Sequence, residues 1–194
     1  MDLDLMETGP ALFDTAFWIS TGIILFLLVL SGFFSGSETA LTAASRGKLR
    51  AQADKGSRGA ERALKITEDN ERLIGSVLLG NNLVNILASA IATVIAIRLF
   101  GDAGIAIATI TLTFVILIFA EITPKTIAAL RPERVAFPAS LILLPLQKLL
   151  MPLVLSINWL TNGILKLLGF SPDQAGDDAV SQEELRTIVT ESGS

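Results

Sequence analysis

Three uncharged apolar runs frame this chain. Thr15 to Ser37 is 23 residues centred on GIILFLLVL, Leu73 to Ile97 is 25, and Ala103 to Ala120 is 18. In the third, apolar character continues past Glu121 towards Leu130. A helix rises about 1.5 Å per residue and a bilayer core is about 30 Å thick, so roughly 20 apolar residues suffice to cross it. The pattern therefore predicts an all-α membrane protein whose spans lie at about 15–37, 73–99 and 103–130.

The connections carry different signals. Residues 38–72 contain the helix-forming stretches ETALTAAS and GAERALKI, split by glycines at 47, 56 and 59, and predict a hairpin of two short helices. Residues 134–168 are apolar and long, but Pro138, Pro145 and Pro152 recur every seven residues. Each removes a helix hydrogen bond and favours a kink. Gln147 and Lys148 would fall at the bilayer centre if this segment crossed, whereas Asn158, Asn162 and Lys166 form a polar stripe beside Trp159. A proline-kinked juxtamembrane helix lying on the membrane surface is the favoured reading, with a fourth span as the alternative. Residues 171–194 turn polar: a linker, then a capping-box pattern at Ser181 and Glu184 that opens a helix.

Charge orients the spans. Eight of the fifteen Lys and Arg lie between Arg46 and Arg72, and Lys125, Arg131 and Arg134 join them on the same side. The other side has only Arg98, and the tail 1–14 carries Asp2, Asp4, Glu7 and Asp14 with no basic residue. The positive-inside rule puts the N-terminal tail outside and both the 38–72 hairpin and the C-terminus in the cytoplasm of a cell-membrane protein. Attraction to anionic lipid headgroups is a second reading of the basic cluster. The net charge of −4 argues against nucleic-acid binding.

Composition then restricts the chemistry. The chain has no histidine, cysteine or tyrosine. Histidine- and cysteine-based catalysis, disulfides and zinc or iron–sulfur sites are excluded, which leaves an intramembrane hydrolase without its usual residues and predicts no enzyme. A bound metal must be held by oxygen alone, which suits hard cations. The polar residues inside the apolar runs are the candidates, because such groups are costly in lipid. Span one carries Ser31 and Ser35 on one face, with Ser37 nearby, and a G-x-x-x-G pair at Gly32 and Gly36. Span two carries Asn81, Asn82 and Asn85, of which Asn81 and Asn85 share a face and Asn82 lies about 100° away. Span three carries Glu121, with Pro124 unable to donate to the Ala120 carbonyl. Structural readings compete: close packing for the glycines, bonds back to the helix for the serines, an interface marker for Glu121. Together the groups supply the five or six oxygens that Mg²⁺ requires.

In SGFFSGSETAL at 31–41, LLGNNLVN at 78–85 and EITPK at 121–125, the chain resembles the membrane domain of the CorC/CNNM (cyclin M) family, associated with Mg²⁺ efflux. The resemblance implies three transmembrane helices, a cytoplasmic helical hairpin and a juxtamembrane belt helix, assembled as a homodimer. It implies a Mg²⁺ site at Ser31, Ser35, Asn81, Asn85 and Glu121, shaped by Pro124, with Na⁺ coupling as in many members. Asn82 matches no position of that site. The family continues into a nucleotide-binding CBS-domain pair, so no nucleotide is expected within these 194 residues. A Mg²⁺ sensor that regulates another transporter is the alternative to a transporter.

Overall fold

A computed structural model describes residues 13–170. Expectations for residues 1–12 and for the linker and helix start at 171–194 lie outside the described residues. The chain divides into two compact units, one ending at Leu149 and the other starting at Leu150.

The first unit is built on three long helical segments. Helix α1 is Thr15–Ala43; a hairpin follows, α2 at Arg46–Asp54 and α3 at Arg58–Thr67. Helix α4 is Asn70–Phe100, and after a short turn α5 is Gly104–Val115. A π-helical turn, Ile116–Ile122, leads into α6, Thr123–Leu130. The helical stretch Asn70–Leu130 is 61 residues, or about 90 Å if straight, three times a bilayer core. It reverses at Gly101, whose φ of +68° no L side chain adopts easily. Two antiparallel segments result, so α1, α4 and α5–α6 are the three predicted spans.

One boundary differs from expectation. ETALTA belongs to α1, which runs to Ala43, and the first hairpin helix begins only at Arg46. Nothing in that sequence stops a helix until Ala44, whose ψ of 129° is extended. The hairpin closes through Arg46, whose guanidinium donates to the Thr67 carbonyl at 2.8 Å. Ala60, Ala63, Ile66 and Thr67 form the buried face of α3.

Burial runs opposite to a water-soluble bundle. Small residues fill much of the interior: Ser31, Ser35, Ala40, Ala88, Ala128, Ala136 and Ala139 are at most 1% exposed, beside the larger Leu41, Leu49, Ile66, Leu73 and Val77. Many large side chains face out, with Phe26, Val29, Ile86, Val94 and Phe119 all more than 60% exposed. Lipid tails are as apolar as these side chains, so in a bilayer the outward face costs nothing and small residues let helices approach. The chain is a multi-pass membrane protein.

Helix α7, Pro132–Leu167, contains all three periodic prolines. Within the first unit it buries Ala136, Ala139, Ser140 and Leu143 at helical spacing. Within the second, Asn158, Trp159, Asn162 and Lys166 are all exposed.

The ends of α1 and α4 are tied together. Asp14 caps α1, accepting from the Phe17 N–H at 3.0 Å, and takes two bonds from Arg98 at 3.2 and 2.8 Å. The Arg98 guanidinium, then the Phe17 N–H, hold the Asp14 carboxyl below its usual pKa. A carboxylate with a lowered folded-state pKa stabilises fully above the unfolded value and loses that contribution as pH falls through the folded one. Asp14→Asn should therefore lower the melting temperature in detergent at neutral pH. The gap to wild type should close as the solution is acidified below the ordinary carboxylate range.

Candidate functional site

Two contacts fix how α1 faces α4. Asp14 meets Arg98 and Ser31 meets Asn81, and in both pairs the residue numbers sum to 112, which is the signature of an antiparallel register. Ser31 is fully buried, and its hydroxyl donates to Asn81 Oδ1 at 2.7 Å. The other end of that amide, Asn81 Nδ2, donates to Glu121 Oε1 at 3.1 Å. Lys125 Nζ lies 3.2 Å from Glu121 Oε2. A polar chain thus links all three spans, and it is built from three of the predicted ligands.

The remaining candidates divide. Ser35 Oγ and Asn85 Oδ1 are buried with no hydrogen-bond partner, so each keeps an acceptor free. The antiparallel register puts them one turn to opposite sides of the Ser31–Asn81 level, about 12 Å apart along the axis. One ion within about 2.1 Å of its ligands cannot bind both through unmoved helices. Ser37 spends its hydroxyl on the Phe33 carbonyl at 2.5 Å, which is the structural role serines take in helices. Asn82, the lesser candidate of span two, is exposed and takes no part in this chain of hydrogen bonds.

Gly32 and Gly36 make room for Pro124. A Cβ on Gly32 would stand 3.2 Å from Pro124 Cγ and 3.6 Å from the Phe119 carbonyl oxygen; one on Gly36 would meet Pro124 Cβ at 3.5 Å. This close packing seats the third span beside Ser31. The π turn alters the backbone expectation at Ala120. Thr123 N–H bonds back five residues, to Ile118, and in that register the missing Pro124 donor belongs to Phe119 rather than Ala120. Ala120 is itself fully buried. Wide helical turns of this kind are concentrated at functional sites.

A cleft of about 420 Å³ adjoins Glu121, lined also by Ser89, Thr93, Thr109 and Thr113. Thr93, Thr109 and Thr113 donate to carbonyls of their own helices at 2.6–2.8 Å, which leaves them as acceptors only. The sequence reading passed over these residues. Their signal was available, since Ser89 and Thr93 are spaced by four, as are Thr109 and Thr113. Glu121 supplies the one carboxylate among the residues that line this cleft.

Residues 22–194 match the cyclin M transmembrane N-terminal domain. The chain belongs to the cyclin M family. Among its relatives, the UPF0053 inner membrane protein YfjD of Escherichia coli is 53% identical over 165 residues, covering 85% of this chain and 39% of the relative. A UPF0053 protein of Haemophilus influenzae is 48% identical over 171 residues, 88% of this chain and 40% of its own. A polyamine export protein of Salmonella typhimurium is 29% identical over 86% of this chain and 40% of the relative. The chain spans about two fifths of the length of these relatives.

Proposed function

We propose that this cyclin M domain carries Mg²⁺ across the cell membrane through an alternating-access site centred on Glu121. One observation carries the reading. A carboxylate, an amide and a hydroxyl from three apolar helices form one continuous polar chain inside a protein whose outer surface suits lipid. Such groups are expensive at membrane depth and mark ion pathways. Ser31, Asn81 and Glu121 form the primary ligand set, and Pro124, Gly32 and Gly36 hold it together. Ser35 and Asn85 then serve as ligands on either side, taken up as the helices shift and the ion advances. Weak binding suits this role, because a carried ion must also leave.

The charge asymmetry supports an outside N-terminus and a cytoplasmic hairpin, and export as the direction comes from the family resemblance alone. The surface reading of α7, a homodimer and Na⁺ coupling accompany the proposal as family properties. Purified protein in liposomes loaded with a Mg²⁺-sensitive dye supplies the test. Flux that Asn81→Ala abolishes supports transport; Mg²⁺ binding without any flux supports the sensor reading instead.

An organic polycation is a second candidate cargo. The ammonium of Lys125 already sits on Glu121, so the site accepts a primary amine, and one relative is named for polyamine export. Spermidine flux that exceeds Mg²⁺ flux in the same liposomes would favour it.

A further inference from the structure

Glu121 is the one acidic residue within the three spans, and both of its oxygens are engaged. Oε1 accepts from Asn81 Nδ2 at 3.1 Å, and Oε2 is paired with Lys125 Nζ at 3.2 Å. A cation approaching the carboxylate must displace N–H donors from it. Asn81 can remain in the site by presenting its oxygen, already turned to Ser31. Lys125 cannot. Its ammonium has no acceptor and carries the charge that a metal ion would bring.

We propose that Lys125 is a tethered competitor for the cation, holding the charge of Glu121 neutralised until cargo displaces it. The proposal rests on reading Glu121 as the cation-binding carboxylate. Exposure supports the arrangement: the Lys125 side chain is 47% accessible against 26% for Glu121, so the ammonium sits on the open side of the pair and has somewhere to go. Direction supports it too. Gly32 abuts Phe119, Ala120 and Pro124 while Gly36 abuts Pro124 alone, so α1 and the third span run parallel. Ser35, with its unpartnered Oγ, therefore lies towards the Lys125 side of Ser31. A cation arriving from that side meets a free acceptor and the ammonium before it meets the carboxylate. An ordinary i,i+4 ion pair on a helix surface only supports the helix. This one cancels the charge on which binding depends.

The test is Mg²⁺ affinity by calorimetry on the whole chain in nanodiscs, for wild type, Lys125→Met, Lys125→Gln, Lys125→Arg and Glu121→Gln. Both neutral variants should bind Mg²⁺ about two- to fivefold more tightly, which is the range of a half-exposed ion pair. Lys125→Arg should return affinity to the wild-type value, a rescue that a role in helix stability alone would not produce. Unchanged or weaker binding in both neutral variants, with Glu121→Gln still deficient, overturns the competitor role and leaves the site intact. Wild-type affinity in Glu121→Gln overturns the carboxylate reading itself, and the competitor with it.

Discussion

Glu121→Gln is expected to abolish Mg²⁺ binding and flux while leaving a folded protein. The substitution is nearly isosteric, and the new amide oxygen can still accept from Asn81 Nδ2, so the chain from Ser31 across the three spans survives. What disappears is the single negative charge near the cation. Two unit charges at 4 Å interact by about 4 kcal/mol under an effective dielectric near 20, and a divalent ion feels more. Desolvation offsets part of this, so a loss in affinity of roughly a hundredfold or more is the expectation. The neutral ligands cannot compensate, because Glu121 is the one acidic residue within the three spans. Calorimetry and dye-reported liposome flux measure the two losses separately. Flux at the wild-type rate in this variant would end the case for a Glu121-centred pathway.

The parts of this site that were legible in the sequence are those set by periodicity and cost. An apolar run long enough to cross a bilayer announces itself, and a Ser, Asn or Glu inside it stands out because lipid gives it no partner. That reasoning singles out Ser31, Asn81 and Glu121, which hydrogen bonds join in the structure, and it places Asn82 about 100° from Asn81 around the helix. Spacing within one helix says nothing of how two helices are registered. Ser31 and Ser35 share a face, as do Asn81 and Asn85, and on that basis all four were expected around one ion. Antiparallel pairing of α1 with α4 carries Ser35 and Asn85 in opposite directions, which only the contacts from Asp14 to Arg98 and from Ser31 to Asn81 reveal.

The backbone around Glu121 was hidden for a related reason. Pro124 signals a missing donor, but which carbonyl loses its partner depends on whether the preceding turn is α or π. The sequence ILIFAEI carries no mark of the wider turn, and the expectation fell on Ala120 instead of Phe119. The boundary of α1 failed more simply. The uncharged run ends at Ser37, but a helix leaving the membrane needs no interruption at Glu38, and α1 continues through ETALTA to Ala43.

Gly104→Ala should be the most damaging of the single-methyl changes at the helix contacts, and it lies well away from the candidate ligands. A Cβ built there would stand 2.3 Å from both the carbonyl carbon and the carbonyl oxygen of Ala96. Backbone atoms cannot rotate aside, so the first turn of α5 must lift off the last turns of α4. Overpacking of this kind costs about 1–3 kcal/mol, occasionally more. Gly22 supplies the control, because a Cβ there meets nothing within 4 Å and the position lies inside α1. Replacing a helix-interior glycine by alanine in open space should stabilise by roughly 0.5–1 kcal/mol. Melting curves in one detergent should therefore move in opposite directions for the two variants, down for Gly104→Ala and up or unchanged for Gly22→Ala. The consequence reaches the site, since the seat of α5 on α4 sets the height of everything that follows it. A tilt introduced at Gly104 propagates through Thr109 and Thr113 to the π turn and displaces Glu121 from Asn81. Gly104→Ala should then lose Mg²⁺ affinity as well as stability, without any ligand having been touched. A variant as stable as wild type would show that the α4–α5 hairpin does not depend on this close approach.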